Sequence, residues 1–382
     1  MVTLHSDRFP SQSGWTFHDA RLDSGLDGFL LFSRYDGDVG SHVFELIDLK
    51  AGEQKYRFEV DATRILANAN RGLTKAAVRH WETSRFQGVH PIVLDNGDIM
   101  VKGHYTPMFS INPCGNVVWL QDKFIFHHTI ERAPDGNYWS PSYVEPQRVE
   151  GLHPRYEDSG LVKLSEEGKI LFDRSLSQIF LDHGLGSLIL SGTGFDPDPL
   201  HLNDIQPVFE DGPYWKRGDV FLSIRSLSMI MLYRPSTDEI IWWRQGDWTA
   251  QHDVDIINET TIGVFDNNVF NYGDGPVING HSRVLYYDIA TDQVSSPFDE
   301  ILAENEFKNE AAGLFTLLPE GHLYVSESGR TLIFTPDGKI AVEHFNRAKN
   351  GKIFHLGWSR YMDRAAGDRF LEQIKTASCA AN

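Results

Sequence analysis

The feature that most constrains this 382-residue chain is a local pattern that returns six times. Each copy is a run of apolar and β-branched residues, a turn centred on Gly, Asp or Asn, and a second such run. Period-two alternation around a turn-forming residue predicts a β-hairpin. Recurrence at roughly fifty-residue intervals is typical of propeller-type repeats. The six turns are Ala51-Gly52, Asn112-Pro113-Cys114-Gly115, Glu167-Gly168, the region of Asp238, the region of Asp292, and Asp337-Gly338.

A second type of hairpin signal precedes most of these units. Its turns are at Asn96-Gly97, Asp135-Gly136, Arg217-Gly218, Asn258–Thr260 and Glu320-Gly321. Joined to the hairpin that follows, each signal makes four antiparallel strands, which is the content of one propeller blade. The sequence therefore predicts an all-β chain, a six-bladed β-propeller with helical insertions and a C-terminal helical tail.

The boundaries predicted from this pattern are a lead-in over residues 1–25, the propeller over 26–346, and a tail over 347–382 that contributes ring closure and a helix. Helix-compatible spacing predicts insertions from Thr63 to Arg85 and from Asp299 to Ala312, and a helix beyond Trp358. A long loop is predicted from Gly184 to Leu200. Which terminal segment closes the ring is left open, with residues 353–356 as one candidate.

Composition narrows the classes of partner. The net charge is −18, and no run of Lys or Arg is present, which argues against nucleic acid and against an anionic membrane surface. The two cysteines, Cys114 and Cys379, predict neither a disulfide framework nor a zinc site. With no visible signal peptide and no apolar stretch long enough to span a bilayer, we expect a cytoplasmic location. The oligomeric state is left open, with a homo-oligomer among the options.

Three histidines occupy similar places in successive units. His128 and His252 each lie ten residues before the first strand residue after a turn, and His201 opens a segment with the same rhythm. Since the first strand of each blade lines the central channel, we expect these side chains to converge. A single strand histidine is usually a hydrogen-bonded core residue, and that interpretation is kept for His127 and for His90, which is one residue out of register.

Arg225 is the next candidate, at the end of the strand that follows His201. A guanidinium in a strand needs a partner, and its planar fork matches sulfate, phosphate or carboxylate. The alternative is an internal ion pair with Asp204 or Asp253.

At this point the residues carry a resemblance. The chain resembles the PAPS-independent arylsulfotransferase family over roughly residues 85–345, in pieces whose order and spacing match. The pieces are Phe126-His127-His128, His201-Leu202-Asn203-Asp204-Ile205, Ser223-Ile224-Arg225-Ser226, Trp242-Trp243-Arg244-Gln245-Gly246, Gln251-His252-Asp253, and Phe265-Asp266-Asn267-Asn268. Members of that family are six-bladed propellers, in agreement with the repeat count.

The resemblance implies sulfuryl transfer from a phenolic sulfate ester to a phenol through a sulfohistidine, with no nucleotide donor, cofactor or metal. By position, His252 is the implied nucleophile, Arg225 binds the sulfuryl oxygens, His201 assists, and His128 is the remaining ligand of the sulfuryl group. His127 and Asn203 are the implied substrate-binding residues. The aromatic side chains proposed to stack on an aryl substrate are Trp139, Trp215 and Tyr105.

Two alternatives belong to other classes. One is a metal-dependent lyase or oxygenase in which His90, His128, His201 and His252 hold Fe²⁺, Mn²⁺ or Zn²⁺. The other is a non-catalytic propeller that binds a partner through aromatic residues such as Trp242 and Trp243, which are more simply interpreted as core between blades. Metal analysis distinguishes the first alternative.

Overall fold

The computed structural model describes residues 2–4, 8–72, 78–190 and 194–377. Most regular structure in this part of the chain is antiparallel β-sheet. The chain divides into two compact units, unit 1 with residues 1–123 and 314–382, and unit 2 with residues 124–313. No helix in the described ranges has the length and apolar character needed to cross a bilayer.

The strands found in the described residues are β1 Gly14–Phe17, β2 Phe29–Asp36, β3 Ser41–Asp48, β4 Glu53–Val60, β5 Ile92–Val93, β6 Ile99–Lys102, β7 Thr106–Ile111, β8 Val117–Phe126, β9 Glu131–Arg132, β10 Tyr138–Tyr143, β11 Ser159–Leu164, β12 Ile170–Ser175, β13 Leu202–Pro207, β14 Val220–Ile224, β15 Met229–Arg234, β16 Glu239–Gln245, β17 Val254–Ile256, β18 Thr261–Asp266, β19 Val269–Asn271, β20 Pro276–Ile278, β21 Arg283–Asp288, β22 Gln293–Ser295, β23 Leu314–Leu317, β24 Leu323–Ser326, β25 Arg330–Phe334, β26 Ile340–Phe345 and β27 Arg360–Met362.

The helices in the same residues are short, except for the last. They are α1 Ala20–Asp23, α2 Ala62–Ile65, α3 Leu176–Asp182, α4 Ser187–Leu190, α5 Asp299–Glu304 and α6 Arg364–Thr376, with 3₁₀ turns at Val78–Trp81, Arg225–Leu227 and Pro319–Gly321.

The predicted hairpins are confirmed. All six repeated turns join antiparallel neighbours, namely β3–β4, β7–β8, β11–β12, β15–β16, β21–β22 and β25–β26. The turn residues supply the left-handed backbone that such tight connections need: Gly168 has φ 76° and Asp238 has φ 57°. The first-half turns also join neighbours, as at β9–β10, where Gly136 has φ 82°.

The strands combine into all-β, propeller-like sheets. Unit 1 contains the sheets β27-β2-β3-β4 and β1-β26-β25-β24-β23, and unit 2 contains β13-β14-β15-β16, β17-β18-β21-β22 and the ribbon β19-β20. Strands β5 to β12 form one eight-stranded sheet, because the ten-residue strand β8 pairs with both β7 and β10. Among the described residues, the separate sheets of blade size therefore number four, whereas six were predicted.

The terminal segments both contribute strands to unit 1. Strand β27 pairs with β2, and β1 pairs with β26. Residues 353–356, named above as one candidate for ring closure, form isolated bridges among the described residues instead of a strand. The C-terminal helix is confirmed as α6, which begins where the Asp363 carboxylate accepts a hydrogen bond from the Ala366 amide at 2.7 Å.

The other helical predictions are wrong in extent. In place of a helix from Thr63 to Arg85, the structure has α2 and one 3₁₀ turn, while residues 73–77 lie outside the described ranges. Helix α5 ends at Glu304, well before Ala312, and α4 lies within the predicted loop 184–200. These segments are rich in helix-compatible residues, but propensity is a weak guide to helix length when packing does not support it.

Strand β14 explains how the sheets of unit 2 pack. Every residue of β14 is buried. Val220, Leu222 and Ile224 contribute to one core cluster, whereas Phe221 contributes to the next. Because successive strand residues point to opposite faces, this sheet is covered on both sides, which explains its near-continuous apolar sequence.

The cysteine expectation is wrong in one respect. Cys114, in the turn between β7 and β8, is disulfide-bonded. Cys379 lies outside the described residues.

We predict that Leu222→Ala lowers the free energy of unfolding by about 2–5 kcal/mol, because Leu222 is fully buried between sheets and its truncation leaves a cavity. Leu171→Ala is the matched control, since Leu171 is 52% exposed on β12, and we expect it to change stability by less than about 0.5 kcal/mol. Urea unfolding followed by tryptophan fluorescence measures both. Equal losses in the two variants would contradict the packing described for β14.

Candidate functional site

Three histidines of unit 2 lie together where strands begin. His128, His201 and His252 precede β9, β13 and β17, each the first strand of its hairpin series. The ring centroid of His128 lies 5.1 Å from that of His201 and 5.8 Å from that of His252. The side chains whose register predicted convergence are thus brought together, although they lie just before the strands and not within them.

Two of these histidines have an unusual backbone. His128 has φ 56° and His201 has φ 49°, a region that residues other than glycine seldom adopt. Gly313 has the same spacing, ten residues before Leu323 on β24, and its φ is 109°. Such conformations concentrate at functional sites, where surrounding structure holds them.

His252 is enclosed by its own sheet. Its backbone nitrogen donates to the Phe265 carbonyl at 3.0 Å, and its Nδ1 lies 2.7 Å from Oδ1 of Asn267. The residue is 1% exposed. Burial, followed by the nearby positive charge of Arg225, holds the pKa of the His252 imidazole well below its usual value. The ring is therefore neutral at physiological pH, and a neutral imidazole is a competent nucleophile.

Asn267 is a site residue to which the sequence analysis gave no role. Its carboxamide Nδ2 donates to the carbonyls of Asn309 and Ala312, both at 2.7 Å. It follows directly after β18, whose partner strand β17 begins two residues after His252. The available signal was its place in the segment Phe265–Asn268, which was noted only as part of a resemblance.

His201 has a different partner. Its backbone nitrogen donates to Oδ1 of Asp198 at 3.1 Å, and its Nδ1 is in contact with Oδ2 of the same carboxylate. This carboxylate fixes the orientation of the His201 ring. Asp198 was also missed, because nothing in its sequence context distinguishes it from other loop aspartates.

Arg225 lies at the end of β14, as the first residue of a 3₁₀ turn. Its backbone nitrogen donates to the His201 carbonyl at 3.1 Å, which ties the two segments together. Its charge acts on His252, as the lowered pKa of that imidazole records. The site therefore contains a permanent cation within electrostatic reach of a neutral, buried imidazole.

His127 is fully buried behind His128. The two Nδ1 atoms lie 2.8 Å apart, so one ring donates and the other accepts. The His127 ring also packs against Tyr143, with centroids 4.4 Å apart. These contacts support the orientation of His128, and the substrate-binding role implied for His127 stays a prediction.

Two further carboxyl groups, those of Glu145 and Glu157, have raised pKa values. Burial, followed by the charge of Asp198, raises the pKa of Glu157. Burial and the charge of Glu157 raise the pKa of Glu145 to about 7. Glu145 is therefore partly protonated near neutral pH, and Glu157 lies within electrostatic reach of Asp198.

Asn203 joins the first strands of two sheets. It is fully buried, and its Nδ2 donates to the Gln251 carbonyl at 2.8 Å, directly before His252. The next residue, Asp204, accepts a hydrogen bond from the Val254 amide at 3.0 Å. These bonds link the segments that carry His201 and His252. The implied role of Asn203 in substrate binding stays a prediction.

The aromatic residues named for substrate stacking lie elsewhere. Trp139 and Trp215 belong to the core clusters between sheets, and Tyr105 lies in unit 1, where its carbonyl accepts from the Trp81 indole. Bulky aromatic residues in a repeat fold serve first as core, which explains why composition alone misplaced them. Trp242 also packs against a core cluster, stacked on Tyr287, whereas Trp243 is 39% exposed.

The metal alternative needs at least three ligands at one point. Among the residues that the structure describes, no group of three or more His, Cys, Asp or Glu side chains is arranged to hold a metal ion.

Comparison with solved structures supports the fold. The chain is similar to a protein of unknown function from Bacteroides caccae, with a TM-score of 0.53 and 11% identity, over 86% of this chain and 98% of that one. A virginiamycin B lyase from Staphylococcus aureus is a weaker match, with a TM-score of 0.38 and 11% identity, over 67% of this chain and 69% of that one. No curated protein matches the chain.

The sequence model of one family covers the site. It is described as arylsulfotransferase (ASST) and matches residues 90–347, a span that contains His128, His201, Arg225 and His252. The match extends over more than half of the 382 residues. The chain belongs to the arylsulfotransferase family.

Proposed function

We propose that the protein transfers a sulfuryl group from a phenolic sulfate ester to a phenolic acceptor, through a sulfohistidine on His252 and without a nucleotide donor. The observation that carries the proposal is a buried, neutral imidazole with an arginine within electrostatic reach and two further histidines beside it. That combination supplies a nucleophile, a binder for an oxyanion, and a proton donor.

The first half of the reaction forms an N–S bond. A ring nitrogen of His252 attacks the sulfur of the bound ester, and the bond from sulfur to the aryl oxygen breaks. The departing phenoxide takes a proton from His201, whose ring Asp198 supports. Arg225 and His128 bind the sulfuryl oxygens, where negative charge is delocalised during transfer.

The second half reverses these roles. An acceptor phenol gives its proton to His201, its oxygen attacks sulfur, and the N–S bond breaks. No net proton or electron is gained, so the cycle needs neither a redox partner nor a nucleotide. Sequential use of one site by donor and acceptor predicts ping-pong kinetics.

The proposal has two further parts that concern the whole chain. We place six blades in the fold by counting β5–β8 and β9–β12 as two blades that share one hydrogen-bonded sheet. In support, the predicted hairpin turns join the strands of each set. We also propose a cytoplasmic location, in which the disulfide of Cys114 would be unusual.

We predict that His252→Ala lowers p-nitrophenol release from p-nitrophenyl sulfate and phenol by about 10³-fold or more, because the nucleophile is lost. His183→Ala is the matched control, since His183 lies at the end of α3, where its Nδ1 bonds the Ile179 carbonyl, and we expect it to retain activity. Metal-stripped protein is used throughout. Undiminished release by the His252 variant, or activity that requires added metal, would refute the mechanism.

We predict that Arg225→Lys lowers kcat/KM by about 10²-fold, because an ammonium keeps the charge but loses the planar fork that pairs with two sulfuryl oxygens. Steady-state kinetics with p-nitrophenyl sulfate measures the effect. An Arg225→Lys variant with native kcat/KM would show that Arg225 contributes charge alone.

We predict that the acid limb of kcat/KM lies well below pH 6.5 in the native protein, because the lowered pKa of His252 keeps its ring unprotonated. Since the positive charge of Arg225 contributes to that lowering, Arg225→Gln moves the limb to higher pH, whereas Arg225→Lys leaves it in place. Measuring kcat/KM from pH 4 to 8 locates the acid limb of the native protein, of Arg225→Gln and of Arg225→Lys. A native limb at the ordinary histidine value would contradict the electrostatic account.

A further inference from the structure

Asn267 presents a carboxamide to His252 in an orientation that its other contacts determine. Nδ2 of Asn267 donates to the backbone carbonyls of Asn309 and Ala312, each at 2.7 Å. If the amide were turned over, its oxygen would face two carbonyl oxygens, which are acceptors only. The two carbonyls therefore fix Oδ1 as the atom that faces His252.

The direction of the hydrogen bond to the imidazole follows. Nδ1 of His252 lies 2.7 Å from Oδ1 of Asn267, and an amide oxygen only accepts. Nδ1 must therefore carry the proton and donate it. Because a neutral imidazole has one N–H, Nε2 is then the unprotonated nitrogen and carries the nucleophilic lone pair.

We propose that Asn267 is a positioning residue that fixes the tautomer of His252, so that Nε2 is the atom that attacks sulfur. This inference deepens the proposed sulfuryl transfer and rests on it. When Nε2 forms the N–S bond and the S–O bond breaks toward the leaving oxygen, the proton on Nδ1 stays in its hydrogen bond to Oδ1. It stays there again when the N–S bond breaks toward the acceptor.

The support for Asn267 is itself anchored. The backbone amide of Asn309 donates to Oγ of Ser282 at 2.9 Å. The same Ser282 hydroxyl lies 3.2 Å from the backbone carbonyl oxygen of Asn267. Asn267 and Ser282 are fully buried. The carboxamide is thus held by a closed set of hydrogen bonds, which is what keeps a positioning group in one orientation.

The partner of His201 is of a different kind. Nδ1 of His201 contacts the carboxylate of Asp198, whereas Nδ1 of His252 faces a neutral amide. Because an amide adds no charge, Asn267 orients the His252 ring without favouring its protonated form.

The first test reads the tautomer without any substrate. ¹⁵N-histidine-labelled full-length protein is examined by long-range ¹H–¹⁵N correlation NMR at pH 7.5, and the signals of His252 are assigned by their loss in His252→Gln. We expect Nδ1 to be the protonated nitrogen and Nε2 the unprotonated one. A protonated Nε2, or an even mixture of tautomers, would overturn the inference.

The second test compares two adjacent asparagines. Nδ2 of Asn268 also donates to two backbone carbonyls, those of Asn279 and His281, whereas the bond to the His252 ring is made by Asn267. The φ of Asn268, 54°, is one that glycine adopts readily. We expect Asn267→Ala to lower kcat by about tenfold or more with a mixed His252 tautomer, and Asn268→Gly to do neither. Equal losses of kcat in both variants, with the native tautomer retained, would reduce Asn267 to a loop clamp.

A third variant gives a readout that a structural role would not move. Asn267→Asp keeps an acceptor but adds a negative charge, which favours the imidazolium and raises the pKa of His252. The acid limb of kcat/KM is then expected at higher pH than in the native protein. An unshifted limb would overturn the inference. Because the NMR reading needs no turnover, lack of activity of the native protein toward aryl sulfates would refute the proposed function and leave the tautomer result to stand by itself.

Discussion

Two hydrogen bonds between neighbouring first strands set the geometry on which the site depends. The Asn203 carboxamide donates to the Gln251 carbonyl at 2.8 Å, and the Val254 amide donates to the Asp204 carboxylate at 3.0 Å. They fix the segment before β17 to β13, and so fix His252 relative to His201. All four groups are nearly or fully buried, where an unmade hydrogen bond is costly. The pairing of the two segments is therefore strongly determined.

The chemistry of each histidine ring depends on the group that contacts its Nδ1 atom. Three imidazoles of similar intrinsic basicity have an amide, a carboxylate and another imidazole as partners. Burial and the positive charge of Arg225 also lower the pKa of His252, which keeps its ring neutral. The protein as a whole carries a charge of −18, so any positive potential at the site comes from local groups such as Arg225 and not from the long-range field.

The sequence predicted the repeated hairpins because period-two patterning and turn residues such as Gly168 and Asp238 are local signals. It also predicted the meeting of His128, His201 and His252, since equivalent positions in repeats converge. The pairing of β8 with both β7 and β10 could not be predicted from the sequence, because the length of a strand depends on its pairing partners and not on the local pattern. Asn267 and Asp198 were missed because their roles depend on contacts with groups distant in the chain or on a local backbone shape that no pattern encodes.

The measurement that tests the account most directly is capture of the covalent intermediate. Metal-stripped protein is mixed with p-nitrophenyl sulfate without acceptor, quenched under alkaline conditions that preserve phosphoramidate-like N–S bonds, and analysed by intact mass and peptide mapping. The account predicts one sulfuryl adduct on the peptide that contains His252, lost on addition of phenol and absent in His252→Ala. Turnover with no adduct, or an adduct on another residue, would contradict it.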